Sequence, residues 1–317
     1  MSQWIKILWD TGRHTWSKRW VRRTASLLTS LLVLAFLVLY ASKSIGELRQ
    51  IKDNLRLPVL FATFPIFLGL TYCAGFMWSK IIRLFNQELP DQLNIYIYLL
   101  TLAARRLPGS LLHVVGRTAL YKKKGLGVRI QAFASALEVA LILWAGILVG
   151  LTAWLLSYRI EVSQVWVMGA AFLFITVLIH PKTLRFFLQK LTKEPEPPFI
   201  RYSSLLKLLT GYIFIWLAGG TMLFVFIEAL YPVSISLWIP VLIAWSLYGV
   251  SGQIITILPA GLGVSEIALS LVLGQFIPPS VAVSVAILSR ILLTFYDFTV
   301  SLALMAYGKQ NNPYGLL

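Results

Sequence analysis

Eight ionisable side chains, Arg105, Arg106, Arg117, Glu138, Glu228, Glu266, Arg290 and Asp297, fall within or at the ends of apolar segments. A charge near the bilayer centre costs at least about 2.5–3.5 kcal/mol even on lenient insertion scales, so such residues pair with one another or line a functional path. The three clustered arginines surround Gly116 and the Pro108-Gly109 dipeptide in the stretch RLPGSLLHVVGR and just before it. A guanidinium is a planar fork of donors suited to phosphate oxygens, and a helix that restarts after a Pro-Gly break offers free N–H groups to the same anion. Arg106, Arg117, Pro108, Gly109 and Gly116 are therefore the expected phosphate site. Glu138, Glu266, Arg290 and Asp297 are the expected buried charges. Arg290 and Asp297 lie seven residues apart, two turns along one helix face and too far for direct contact. Each needs a partner from another element, and Glu266 with Arg290 is the expected pair. Glu228, near the end of its apolar run, reads as hydrated.

Other chemistries lack their residues. His113 has no second His or Cys near it in sequence and reads as a hydrogen-bonded core residue. Cys73 is the only cysteine, which excludes an intramolecular disulfide and a cysteine metal frame. No GxxxxGK[ST] loop, HExxH, GxSxG or aspartate-rich cluster occurs. The expectation is a protein without catalytic residues, metal or cofactor. A net charge of +16 raises nucleic acid as a partner, but basic residues beside membrane spans have a simpler cause in topology and anionic headgroups.

The elements that must position these residues follow from composition. With 58% hydrophobic and 13% charged residues, the chain reads as an all-α integral membrane protein. Apolar runs of spanning length occur at Ser26–Ser42, Leu57–Trp78, Ile130–Ser157, Gln164–His180, Leu205–Leu230 and Ser280–Tyr307, giving six expected spans. Two further runs, Leu93–Tyr121 and Leu237–Phe276, are broken by Pro108-Gly109 and by Pro259, Gly261 and Gly263. Each break frees backbone groups that a membrane tolerates only inside protein or against a wet cavity, which suggests re-entrant hairpins. The order helix, hairpin, helix then occurs twice with opposite orientation, the inverted repeat of secondary transporters.

Lys/Arg excess places the N-terminus, the Lys122–Lys124 cluster, the link between the fourth and fifth spans and the tail in the cytoplasm, so the expected location is the cytoplasmic membrane. Residues 1–25, rich in Trp and cations, read as an interfacial helix. Residues 26–309 form one membrane domain with halves 26–190 and 200–309, divided by the proline-rich stretch near Pro195, and 310–317 is a tail.

In PAGLGVSE, Pro259, Gly261, Gly263 and Glu266 resemble the PxGxGxxE signature of the lysylphosphatidylglycerol synthase transmembrane family, a flippase-like membrane domain also found as stand-alone proteins. Arg106, Pro108, Gly109, Gly116 and Arg117 are similar to that family's earlier PG-to-GR stretch, and Arg290 with Phe295 and Tyr296 to its last-helix pattern. Ala260 and Ser265 depart from it, and Asp297 stands where the pattern has a proline. The resemblance implies movement of a lipid between leaflets, and the aminoacyl-transferase domain of bifunctional members has no counterpart in this chain. The expected substrate is an anionic phospholipid or a polyprenyl-phosphate-linked glycolipid, bound at Arg106 and Arg117. Glu138, Glu266, Arg290 and Asp297, with the breaks at Pro259, Gly261 and Gly263, would form the translocation network. Ion or proton coupling and homo-oligomerisation stay open. The competing readings are a membrane-embedded lipid-phosphate transferase and a scaffold for a glycosyltransferase or lipid synthase.

Overall fold

A computed structural model describes residues 55–85, 88–106, 112–157, 180–192, 200–256, 264–311 and 314–315, with four positions between 170 and 177. The expected interfacial segment, the first span, most of the fourth, the proline-rich link, and the break residues Pro108, Gly109, Pro259, Gly261 and Gly263 lie outside the described residues. Every regular element among the described residues is helical. In chain order these are α1 (Leu57–Arg83), α2 (Asp91–Leu100), a 3₁₀ turn (Ala103–Arg106), α3 (Leu112–Lys122), α4 (Val128–Ser157), α5 (Pro181–Thr192), α6 (Tyr202–Leu230), a second 3₁₀ turn (Ile235–Leu237), α7 (Trp238–Thr256), α8 (Val264–Leu273) and α9 (Pro279–Asn311).

Five helical stretches, Leu57–Arg83, Val128–Ser157, Tyr202–Leu230, Ile235–Gln253 and Pro279–Asn311, are long and apolar enough to cross a bilayer, so this is a multi-pass membrane protein. Four of them coincide with expected spans. The other is α7, expected only as one arm of a hairpin. Its Pro240 falls in the first turn, where a missing N–H breaks no helical hydrogen bond, so the helix runs on to Thr256. By contrast α2, α3 and α8 have 10, 11 and 10 residues. At 1.5 Å per residue each is about 15–17 Å long, roughly half of a 30 Å hydrocarbon core.

The packing is reciprocal between the halves. α1 packs on α6; α2, from the first half, packs on α9 of the second; and α7, from the second half, packs on α4 of the first. α2 is buried on nearly all sides, from Leu93 through Tyr98, as expected of a short helix that reads apolar all round. Small residues let α4, α6 and α7 approach closely. The Trp216 indole of α6 lies between Gly146 and Gly249, and a Cβ at Gly146 would fall 2.5 Å from its Cζ2. Its Nε1–H donates to the Ile142 carbonyl at 2.9 Å. In lipid, where apolar burial gives no driving force between helices, such close contacts and interhelical hydrogen bonds hold the bundle together.

Candidate functional site

The site grows from three ionic clusters in a row. In the first, α3 presents Arg117 to Glu138 of α4, with Nη1 donating to Oε2 at 2.6 Å. Both side chains are 5% exposed. The guanidinium is also enclosed by rings, its carbon 4.6 Å from the Trp78 centroid and 4.1 Å from that of Tyr98, while Nε donates to Thr101 Oγ1 at 3.3 Å. Gly116 faces the same helix end, where a Cβ would lie 3.4 Å from Thr101 Cγ2. Of the expected phosphate residues, Arg117 has its charge taken up by Glu138 and its faces by aromatic rings.

A directional hydrogen-bond chain anchors this cluster. Trp78 Nε1–H donates to Tyr121 OH, Tyr121 to Asn94 Oδ1, Asn94 Nδ2 to Ser79 Oγ, and Ser79 to Asp91 Oδ1, at 2.6–2.8 Å throughout. It joins α1, α2 and α3. At its end Asp91 also pairs with Lys80 and Arg83. The Ser79 hydrogen bond first, then the two cations, hold its carboxyl below the usual carboxylate range against the opposing effect of burial.

The second cluster centres on Asp297 of α9, which is fully buried. Arg105 grips it with two donors, Nε at 2.9 Å and Nη2 at 2.7 Å, and Arg106 adds Nε at 2.6 Å. Both arginines belong to the 3₁₀ turn that follows α2. Ser301 fixes that turn to α9 by accepting from the Ala103 N–H at 3.0 Å and donating to the Leu99 carbonyl at 3.1 Å. Arg105 is 37% exposed and Arg106 21%.

The third cluster is the expected pair, Arg290 Nη1 donating to Glu266 Oε1 at 2.6 Å between α9 and α8. Glu266 is 3% exposed and Arg290 34%. Glu266 Oε2 has no hydrogen-bond partner among the described residues. Tyrosines connect the row. Tyr98 lies in the fields of Glu138, Arg117 and Arg105, and Tyr248 of α7 in those of Arg106, Glu266 and Arg290.

Other expected residues fall elsewhere. Glu228 is not simply hydrated: it pairs with Arg56 at 2.8 Å and accepts from the Val233 N–H, closing the C-terminal end of α6. His113 Nδ1 is buried and has no hydrogen-bond partner among the described residues. Arg105 as a partner of Asp297, and Trp78, Tyr98, Thr101 and Tyr248 as the walls of the row, were not anticipated. The only sequence signal for them is an aromatic or hydroxyl residue inside an apolar run, too common to single out. No protein-family model matches the chain and no curated protein matches it.

Proposed function

We propose that the protein moves a lipid with an anionic headgroup between the leaflets of the cytoplasmic membrane, without catalysing a covalent reaction on it. The observation that carries this reading is the Asp297 node: one fully buried carboxylate shared by two arginines, next to the half-accessible Glu266–Arg290 pair. Intramembrane ion pairs are costly, and paired charges beside helices too short to cross are the pattern of a transport site. The short helices α2, α3 and α8 and the reciprocal packing of the halves favour a broken-helix element in each half of an inverted repeat, the second with one long arm, α7, and one short arm, α8. The resemblance to the lysylphosphatidylglycerol synthase transmembrane family favours the same conclusion.

In this reading Arg105, Arg106 and Arg290 meet the headgroup phosphate. Glu266 and Asp297 hold the arginines when no lipid is bound, and Arg117 with Glu138 braces the first hairpin. The acyl or prenyl chains stay in the bilayer, so only the headgroup must be carried past the midplane. The N- and C-termini face the cytoplasm. Catalysis on a lipid phosphate would need a reachable carboxylate beside a second acid or metal ligands; no group of three His, Cys, Asp or Glu forms among the described residues. The test is leaflet exchange of headgroup-labelled anionic phospholipids and a polyprenyl-phosphate sugar in proteoliposomes. Exchange at least tenfold above protein-free vesicles, abolished by Arg106→Gln and by Arg290→Gln in folded protein, is the expected result. Background exchange of every lipid by folded wild type would overturn it.

A further inference from the structure

Asp297 holds one more cation than it needs. Arg105 alone covers both of its oxygens, with Nη2 on Oδ1 at 2.7 Å and Nε on Oδ2 at 2.9 Å, the fork geometry of a strong guanidinium–carboxylate pair. Arg106 adds a single bond, at 2.6 Å, to the oxygen that Arg105 Nε already holds. Asp297 therefore stays paired when Arg106 leaves, and Arg106 is the arginine able to move. Across the row, Glu266 engages Arg290 through Oε1, and its buried Oε2 has no hydrogen-bond partner among the described residues. One cation thus has two acids that can hold it, Asp297 on α9 and Glu266 on α8.

Tyr248 of α7, 9% exposed, is in touch with both. Arg106 donates to its hydroxyl, which also lies in the fields of Glu266 and Arg290. A guanidinium only donates and a carboxylate only accepts, whereas a phenol does both, so the hydroxyl can accept from Arg106 while donating to Glu266 Oε2. A guanidinium that leaves its acid inside the bundle loses a hydrogen bond and a charge partner together, and an intermediate acceptor lowers that cost.

An aromatic ladder holds the Tyr248 ring in place. Trp216, wedged between Gly146 and Gly249, meets Trp245 edge-on with centroids 6.3 Å apart, and Trp245 stacks on Tyr248 at 5.6 Å and 26°. Trp245 is itself pressed against α6, where a Cβ at Gly219 would fall 2.7 Å from its Nε1. The hydroxyl is fixed to the joint of α4, α6 and α7, while the arginine it meets is a long side chain with many rotamers.

Resting on the transport reading above, we propose that Tyr248 is a positioning residue: it passes Arg106 from Asp297, its seat in this structure, to Glu266 Oε2 in a second state. The swap replaces one of the two ties between the turn after α2 and α9 with a tie to α8. It is a two-position contact between the halves of the chain, of the kind alternating access requires. The family resemblance does not supply it, since Asp297 stands where that pattern has a proline.

The experiment is a set of double-mutant cycles on the full-length protein, read by denaturant unfolding in detergent micelles. Leaflet exchange of tail-labelled phosphatidylglycerol in proteoliposomes is measured on the same variants. In wild type, Arg106→Gln couples to Asp297→Asn and is additive with Glu266→Gln. In the Asp297→Asn background Arg106 takes the second seat, and Arg106→Gln couples to Glu266→Gln by about fivefold or more in the unfolding constant. Should Asp297→Asn fail to fold, Arg290→Gln releases Glu266 Oε1 and draws Arg106 to the second seat, where the same coupling is read. Tyr248→Phe keeps the ring and the ladder. It lowers the maximal exchange rate per folded molecule by about fivefold or more and leaves the half-saturating lipid fraction unchanged. A merely structural tyrosine would shift unfolding and leave that rate alone.

Additivity of Arg106→Gln and Glu266→Gln in every background overturns the proposal. So does a wild-type exchange rate in folded Tyr248→Phe. Lipid exchange by wild type without the Arg106–Glu266 coupling sinks only this proposal. The coupling, found in a protein that exchanges no lipid, sinks only the transport reading.

Discussion

The two halves of the chain each place an Arg–Glu pair at the same point in their element order, and the two pairs are built for different work. In the first half the short helix α3 carries Arg117 and the following long helix α4 carries Glu138. In the second the short helix α8 carries Glu266 and the long helix α9 carries Arg290. Both pairs close at 2.6 Å. The order of charge is reversed, and so is the setting. Arg117 is buried between the rings of Trp78 and Tyr98 and tied through α1–α3 to Asp91. Arg290 stands 34% exposed over a carboxylate with one oxygen unpartnered among the described residues. Each pair leaves one carboxylate oxygen, Glu138 Oε1 and Glu266 Oε2, without a hydrogen-bond partner among the described residues; what separates them is the cation, which is enclosed at Arg117 and so braces structure, and exposed at Arg290 and so can exchange partners. The fully buried Asp297, with two arginines from the first half, joins the two settings.

This contrast is sharpest in stability. Arg117→Ala leaves Glu138 as an uncompensated buried charge and should lower unfolding stability by about 3–5 kcal/mol, read as a large fall in melting temperature in detergent. Arg290→Ala also leaves a buried acid, Glu266, unpaired, but its guanidinium is 34% exposed rather than enclosed, so the pair is worth less and the loss should be about 1 kcal/mol. Equal losses would break the comparison. Next in size, Tyr121→Phe leaves the Trp78 N–H without its acceptor and should cost about 1 kcal/mol. The smallest effect belongs to the surface end of the chain. Asp91 has its folded pKa below the unfolded value of 3.8, so its stabilisation is fully present above that value and fades as pH falls through the folded one. Asp91→Asn should therefore melt slightly below wild type at pH 7, by roughly a few tenths of a kcal/mol, and the difference should vanish in acid.

Much of this was legible in the residues. Four spans followed from apolar run length, and Glu266–Arg290 from the rule that an intramembrane charge needs a partner. What failed to show was contact across long sequence separation. Asp297 and Arg105 lie 192 residues apart, and nothing local distinguishes an arginine reaching an interface from one gripping a buried acid. The same holds for Arg117, whose aromatic enclosure comes from α1 and α2. The full length of α7 was hidden because the run Leu237–Phe276 reads as one segment broken at Pro259, Gly261 and Gly263, with the stretch before the break as a hairpin arm rather than a span.

The most direct test is leaflet exchange per folded molecule in Glu266→Gln and Glu138→Gln side by side, with folded fraction set by melting and gel filtration. The account predicts that Glu266→Gln keeps its fold and loses at least tenfold in exchange, while Glu138→Gln melts lower yet exchanges lipid near the wild-type rate in the molecules that fold. Wild-type exchange in folded Glu266→Gln, or an equal loss per folded molecule in both variants, would contradict it.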